Sequence, residues 1–338
     1  MFDFLFRVDA DSSTGAGHLT RCIALAEGLR SRGYHIGFVG AVNSHLLRAI
    51  SSVQVPLLSL ADKPACRCLI IDSYLSLDFL LAPWPLSLPV VLIDDETAQV
   101  SDRPMLVVSP LGNAVALENH FPNAEVMTGV EYLFLRQQIK KARIARGIRN
   151  CGIERTDNFG AKVFITLGGS DRSRLLQRIA EILVESLDNR VEFTVFGNAN
   201  GLRLQAENLS IMAEFSNQFI DLSAKQADLV ICGAGQTLIE MSYIGVPVIG
   251  IVMASNQGDC GRVLSGSGIA VIDGVDSIDN IENDLLGWIS RLFPAWLKAG
   301  WHSGANQSNY DFSLVRAAGS RFAQHQEQVI ERICEMLR

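Results

Sequence analysis

Short, nearly continuous apolar runs alternate along this chain with stretches whose apolar residues recur at helical spacing. Runs at 2–10, 35–40, 68–72, 88–94 and 105–109 predict strands. Between the first two, Leu19, Ile23, Ala26 and Leu29 predict an amphipathic helix that Gly33 closes. A short helix is expected at 44–51, capped near Asn43. The pattern then restarts, with strands expected at 161–167, 191–196, 228–232, 246–253 and 269–272 and helices at 172–186, 236–244 and 278–292. A further helix is expected to open at Asn256-Gln257, and a last one to cover 324–337. Apolar runs that do not alternate with polar residues belong to parallel strands covered by helices on both faces. The expected class is therefore α/β, with two Rossmann-like, doubly wound domains facing across a cleft, at 1–150 and 151–338. In such sheets ligands bind beyond the carboxyl ends of the strands, where each glycine turn of this chain falls.

Length agrees with two domains, since 338 residues divide into units of the common size, ~100–200 residues each. The 48% hydrophobic and 19% charged content supplies two cores and excludes a disordered chain. A net charge of -7 argues against a general nucleic-acid binder, so no nucleic-acid partner is expected. The basic run Arg136, Lys140, Lys141, Arg143, Arg146 and Arg149 marks the domain boundary and reads as a solvated helix or interdomain linker. Contact with phosphates or an acidic membrane surface is the other reading. No apolar stretch reaches the ~18 residues of a membrane span, and no secretory leader pattern opens the chain, so a cytoplasmic protein without membrane insertion is expected. The 7 cysteines lack paired zinc spacing and read as buried reduced thiols; neither a metal nor a cofactor is expected.

The candidate chemistry clusters at turns. Gly15 and Gly17 free the backbone after the first strand, and His18 then opens the helix. A strand, a glycine turn and a helix N-terminus form a cradle for an anion or a close ligand, and histidine adds a group that titrates near neutrality. Gly168-Gly169-Ser170-Asp171 and Gly233-Ala234-Gly235-Gln236-Thr237 read either as tight turns or as phosphate cradles. Neither has the third glycine of a dinucleotide fingerprint or the Gly-Lys-Ser/Thr of a P-loop, which argues against nicotinamide enzymes and ATPases. Glu240, one turn past Gln236 and Thr237, is either a solvent-facing or capping carboxylate or a grip on the hydroxyls of a ribose. Asp72, Asp94 and Asp95 end strands, and Tyr74 stands near the rim that Asp72 closes.

The segment from Phe6-Arg7-Val8-Asp9 through Gly15-Ala16-Gly17-His18-Leu19-Thr20-Arg21-Cys22 resembles the opening of a sugar-nucleotide hydrolase family. These are the UDP-2,4-diacetamido-2,4,6-trideoxy-beta-L-altropyranose hydrolases (PseG) of pseudaminic acid biosynthesis, related to SpsG and, more remotely, to MurG-type glycosyltransferases of GT-B fold. The likeness continues through Ile71-Asp72-Ser73-Tyr74, Leu92-Ile93-Asp94-Asp95, Leu167-Gly168-Gly169-Ser170-Asp171, Gly233 to Thr237 with Glu240, Gly245-Val246-Pro247 and Asn256-Gln257. The resemblance implies a GT-B-like pair of domains with UDP held mainly by the second. It implies His18 as catalytic base and Tyr74 as active-site tyrosine. It places Gly169, Ser170, Gly235, Gln236 and Thr237 along the diphosphate, Glu240 on the ribose, and Asn256 near the sugar or diphosphate. Gly15, Gly17, Arg21 and Gln257 complete the expected substrate-binding set. The chain departs from the family at Ser73, where histidine is usual, and at Ser109, where asparagine is usual.

A sugar–UDP bond has a good leaving group and needs less acid help than an ordinary glycoside, which commonly uses two carboxylates. One base to deprotonate water could suffice, so the expected activity is inverting hydrolysis of a UDP-linked amino-deoxy sugar with His18 as base. A glycosyltransferase, with an acceptor hydroxyl in place of water, is the alternative; a noncatalytic UDP-sugar-binding protein is a further one.

Overall fold

The computed structural model describes residues 1–9, 17–40, 50, 54–59, 61, 64–94, 99–150, 160–167, 173–197, 206–212, 217–254, 257–274, 278–293 and 319–338. The chain divides into two compact units, Met1–Gln137 with Arg321–Arg338, and Gln138–Ser320.

The first unit is built on a seven-stranded parallel sheet in the order β3-β2-β1-β4-β5-β6-β7. The strands are β1 (Phe2–Val8), β2 (Ile36–Val39), β3 (Leu57–Leu58), β4 (Cys66–Asp72), β5 (Val90–Ile93), β6 (Leu106–Ser109) and β7 (Glu125–Thr128). Helix α1 (Gly17–Ser31) covers one face, where Leu19, Cys22, Ile23 and Ala26 pack on Phe4, Phe6 and Val8 of β1. The opposite face of the same strands, through Leu5, Leu69 and Ile71, packs on Leu77 and Leu80 of α2 (Leu77–Leu81). With both faces buried, the middle of each central strand is apolar: Phe4-Leu5-Phe6 in β1 and Cys68 to Ile71 in β4. A third helix, α3 (Ala114–His120), starts at Asn113, whose side chain accepts from the Ala116 N–H at 3.1 Å.

The second unit carries a six-stranded parallel sheet in the order β10-β9-β8-β11-β12-β13. Its strands are β8 (Ala161–Thr166), β9 (Val191–Phe196), β10 (Leu209–Met212), β11 (Leu229–Gly233), β12 (Val248–Val252) and β13 (Ala270–Asp273). The helices are α4 (Gln137–Asn150), α5 (Ser173–Ser186), α6 (Asn217–Gln226), α7 (Gln236–Ile244), α8 (Gly258–Gly266) and α9 (Ile278–Leu292). Val163, Ile165, Ile249 and Ile251 meet Leu183, Ile281 and Leu285 in its core. In each sheet the winding reverses once: between β1 and β4 in the first, and between β8 and β11 in the second. Such reversal points leave a crevice beyond the strand ends.

The units divide at Gln137/Gln138 rather than at 150, and the tail belongs to the first unit, not the second. Two contacts explain this. The basic run is not a solvated linker at Arg143 and Arg146. Arg146 is buried and donates to the Ala227 carbonyl at 2.8 Å, while Arg143 donates to the Tyr243 carbonyl and lies 4.7 Å from its ring centroid. These bonds fasten α4 to the second unit. The last helix, α10 (Gln326–Glu335), buries Val329, Ile330 and Ile333 against α1. A Cβ at Gly28 would stand 2.4 Å from Ile330 Cδ1, so α1 lacks a side chain where the tail docks. Ile330→Ala is expected to lower the stability of the first unit by about 2–5 kcal/mol, read as a fall in its urea midpoint.

The expected helix at 44–51 lies outside the described residues apart from Ile50, as does the Gly168-to-Asp171 turn. Strands β3, β7 and β10 were not expected. β3 has two residues, and β7 and β10 are half-exposed sheet edges without a continuous apolar run.

Candidate active site

Pairing of β1 with β4 sets Val8 beside Asp72 at the carboxyl edge of the first sheet. Helix α1 begins just beyond that edge, and His18, Arg21 and Cys22, three and four residues apart, share the face that meets Asp72. His18 Nδ1 donates to Asp72 Oδ1. Arg21 grips the same carboxylate with one edge of its guanidinium, Nε to Oδ2 at 2.6 Å and Nη2 to Oδ1 at 2.7 Å. The Cys22 thiol donates to Oδ2 at 3.5 Å. The Tyr74 ring stands edge-on to the His18 imidazole, with centroids 4.2 Å apart and planes at 87°.

Asp72 is wholly buried. Burial works against its charged form, yet Arg21 and then His18 outweigh it and hold the carboxyl well below the usual carboxylate range. Asp72 is therefore an anion at any physiological pH. Burial, with Asp72 adding to it, pushes the Cys22 thiol well above its ordinary value, so this cysteine is a neutral donor. An anionic Asp72 on Nδ1 fixes the imidazole tautomer: Nδ1 carries the proton, and Nε2 keeps its lone pair. His18 is 4% exposed, and Nε2 has no hydrogen-bond partner among the described residues.

Behind this edge a second network fixes the turn that carries Tyr74. Arg7 Nη2 donates to Asp9 Oδ1 at 3.0 Å, and the Ser73 hydroxyl donates to Asp9 Oδ2 at 2.8 Å. Ser73 Oγ also accepts from the Leu75 N–H at 3.2 Å. Gly40 (φ 141°) closes the neighbouring strand there, where a Cβ would fall 1.9 Å from the Val8 carbonyl oxygen.

In the second unit, β11 leads through Gly233-Ala234-Gly235 directly into α7. Ala234 N–H donates to the Ile251 carbonyl at 2.8 Å, which ties the turn to β12. Helix α7 begins after Gly235 with no side-chain cap from the described residues, which leaves its first N–H groups untaken by a serine or aspartate there. Gln257 overhangs the turn: its Nε2 lies 3.8 Å from where a Cβ would stand on Gly233 or Gly235, and its Oε1 accepts from the Met253 N–H at 2.9 Å. The Gln236 side-chain Nε2 is buried without a hydrogen-bond partner among the described residues, and Glu240 is buried at 3% exposure. The solvent-facing reading of Glu240 is thereby corrected, because α7 is covered on that side.

No protein-family model matches the chain, and no curated protein sequence matches it. Solved structures do match over its whole length. The spinosyn rhamnosyltransferase SpnG complexed with spinosyn aglycone is similar with a TM-score of 0.63 at 16% identity, over 99% of this chain and 100% of that one. MurG of Acinetobacter baumannii is similar with a TM-score of 0.60 at 14% identity, over 98% and 99%. Arabidopsis thaliana UGT89C1 complexed with UDP gives 0.59 at 13% identity, over 100% of both chains. This is a glycosyltransferase architecture of two parallel-sheet, Rossmann-like units.

The chain has the GT-B fold.

Within this GT-B chain, His18 and Tyr74 stand together, and Gly235, Gln236, Thr237, Glu240 and Gln257 lie at or near the start of α7. Gly17 opens α1, and no described residue comes within 4 Å of where its Cβ would stand. Arg21, expected on the substrate, has its guanidinium on Asp72. Gly15, Gly169, Ser170, Asn256 and Asp95 lie outside the described residues. Asp72 and Cys22 were missed as parts of the site. The available signal was the lone carboxylate ending an apolar strand, combined with polar residues three and four apart at the start of α1. No group of three or more metal-ligating side chains occurs among the described residues, and no described helix is long and apolar enough to cross a membrane.

Proposed function

We propose that the chain is an inverting UDP-sugar hydrolase acting on a UDP-linked 2,4-diacetamido-2,4,6-trideoxyhexose, with His18 as general base. The observation that carries this reading is the His18–Asp72 pair: Nδ1 is committed to a buried carboxylate and Nε2 is left as a lone-pair donor. The resemblance of the opening segment to the sugar-nucleotide hydrolases supports water as the attacking group.

The steps follow from these positions. Nε2 takes a proton from water as the oxygen attacks the anomeric carbon, on the face opposite the leaving group. The bond between that carbon and the diphosphate oxygen breaks, and its electron pair leaves with UDP. Asp72 holds the ring through Nδ1 while Nε2 takes the proton, and is not itself protonated. The imidazolium then returns its proton to solvent. The uncapped N-terminus of α7 holds the diphosphate and spreads its growing charge over backbone N–H groups. Glu240 accepts from the ribose hydroxyls. Glu240→Gln is expected to raise the KM for the UDP-sugar about 10- to 100-fold with little change in kcat, as loss of a charge-assisted bond made equally in ground and transition states requires.

A glycosyltransferase is the second reading. It is favoured by the glycosyltransferase fold and by the exposed apolar side chains of Tyr74, beside His18, and of Leu75 and Phe79 in the segment that follows, which would suit an acceptor. UDP release from a panel of amino-deoxy UDP-sugars, with and without acceptors, separates the readings. Release without acceptor supports the hydrolase; release only with acceptor supports the transferase; binding with no release under either condition defeats both.

A further inference from the structure

A carboxylate on Nδ1 orients a catalytic histidine, but it also favours the protonated ring, which is useless as a base. In this chain the carboxylate is not alone. Arg21 occupies both oxygens of Asp72 at 2.6 and 2.7 Å, and its Nη2 lies 3.2 Å from His18 Nδ1. The guanidinium is thus as near the imidazole as a hydrogen-bond partner would be, with a charge opposite to that of Asp72. Arg21 is held as a cation despite burial, because Asp72 outweighs the desolvation.

We propose that Arg21 is a charge-compensating positioning residue: it cancels the field of Asp72 at His18, so that the imidazole is oriented by a carboxylate without being held protonated. This inference rests on the reading of His18 as a base. Among the described residues, three more groups stand near this cluster. Cys22, on α1, is a neutral thiol donating to Oδ2. Tyr74, from the turn after β4, offers the edge of its ring. Asp9, at the end of β1, is taken up by Arg7 and Ser73.

The test follows the charge of the His18 imidazole by NMR across pH in the full chain without ligand, beside the pH profile of kcat/KM for UDP release. In Arg21→Met, the imidazolium signal and the acid limb of the profile are both expected to move up by about 1–2 pH units. Arg21→Lys, which keeps the charge without the fork, should hold both near their native positions. Arg21→Met combined with Asp72→Asn, which removes both charges, should bring them back. If Arg21→Met does not fold, Arg21→Gln carries the same expectation, since it keeps a donor to Asp72 and loses only the charge. An unmoved imidazolium signal in Arg21→Met or Arg21→Gln overturns the proposal, whatever happens to kcat. A shifted signal in a protein that releases no UDP from any sugar supports the compensation and instead defeats the proposed function.

Discussion

His18→Asn is expected to lower kcat for UDP release by about 100- to 10,000-fold, the usual worth of a positioned general base. Affinity for UDP should stay within about twofold of native, because His18 lies in α1 of the first unit, whereas the diphosphate is proposed to sit at the start of α7 in the second. Asparagine keeps a donor to Asp72 in place of Nδ1–H and removes only the lone pair at Nε2, so folding is preserved. Single-turnover rates beside a UDP-binding isotherm check both halves. Equal losses of rate and UDP affinity would mean that His18 has a structural rather than a catalytic part.

Asp72→Ala is expected to be the most damaging single change to the first unit. It strands Arg21, whose side chain is 14% exposed, without the carboxylate on which its fork sits. Removing one partner of a buried pair costs about 3–5 kcal/mol, since the remaining charge stays desolvated. The pH dependence has a definite sign. The carboxyl of Asp72 is depressed in the folded protein, so its stabilisation is fully present above the unfolded carboxylate value, about 3.9, and is lost as pH falls through the lower folded value. The stability gap between native and variant should therefore be flat from neutral pH down to weak acid and close only in strong acid. Urea denaturation at a series of pH values reads it. A gap that closes already near neutrality would show that the group paired with Arg21 is not an ionised Asp72.

Much of the fold was legible because its central strands are buried on both faces. The middles of β1, β4, β8 and β11 are apolar for that reason, and helices α7 and α9 fell where helical spacing placed them. Edges carried no such signal. In β10, Ser210 is exposed and bonds only across to β9, so nothing in its sequence separates it from a loop. Partners distant in sequence were equally hidden. Arg143 and Arg146 read as surface charge, yet they fasten carbonyls of the second unit, and the apolar stripe of α10 does not announce that it docks on α1. The site shows the same division. His18 was visible from its glycine turn and helix start, which are local. Asp72 was not, because what makes it important is the adjacency of β1 and β4, set by the winding of the sheet 54 residues apart in sequence.

The most direct measurement is UDP release from a UDP-linked 2,4-diacetamido-2,4,6-trideoxyhexose in water enriched in oxygen-18, with no acceptor present. Native protein is expected to yield unlabelled UDP and a free sugar that carries the heavy oxygen at its anomeric carbon, initially of inverted configuration, and His18→Asn should yield neither at a comparable rate. Label in the UDP, or no release until an acceptor is added, would contradict a histidine-activated water at the anomeric carbon.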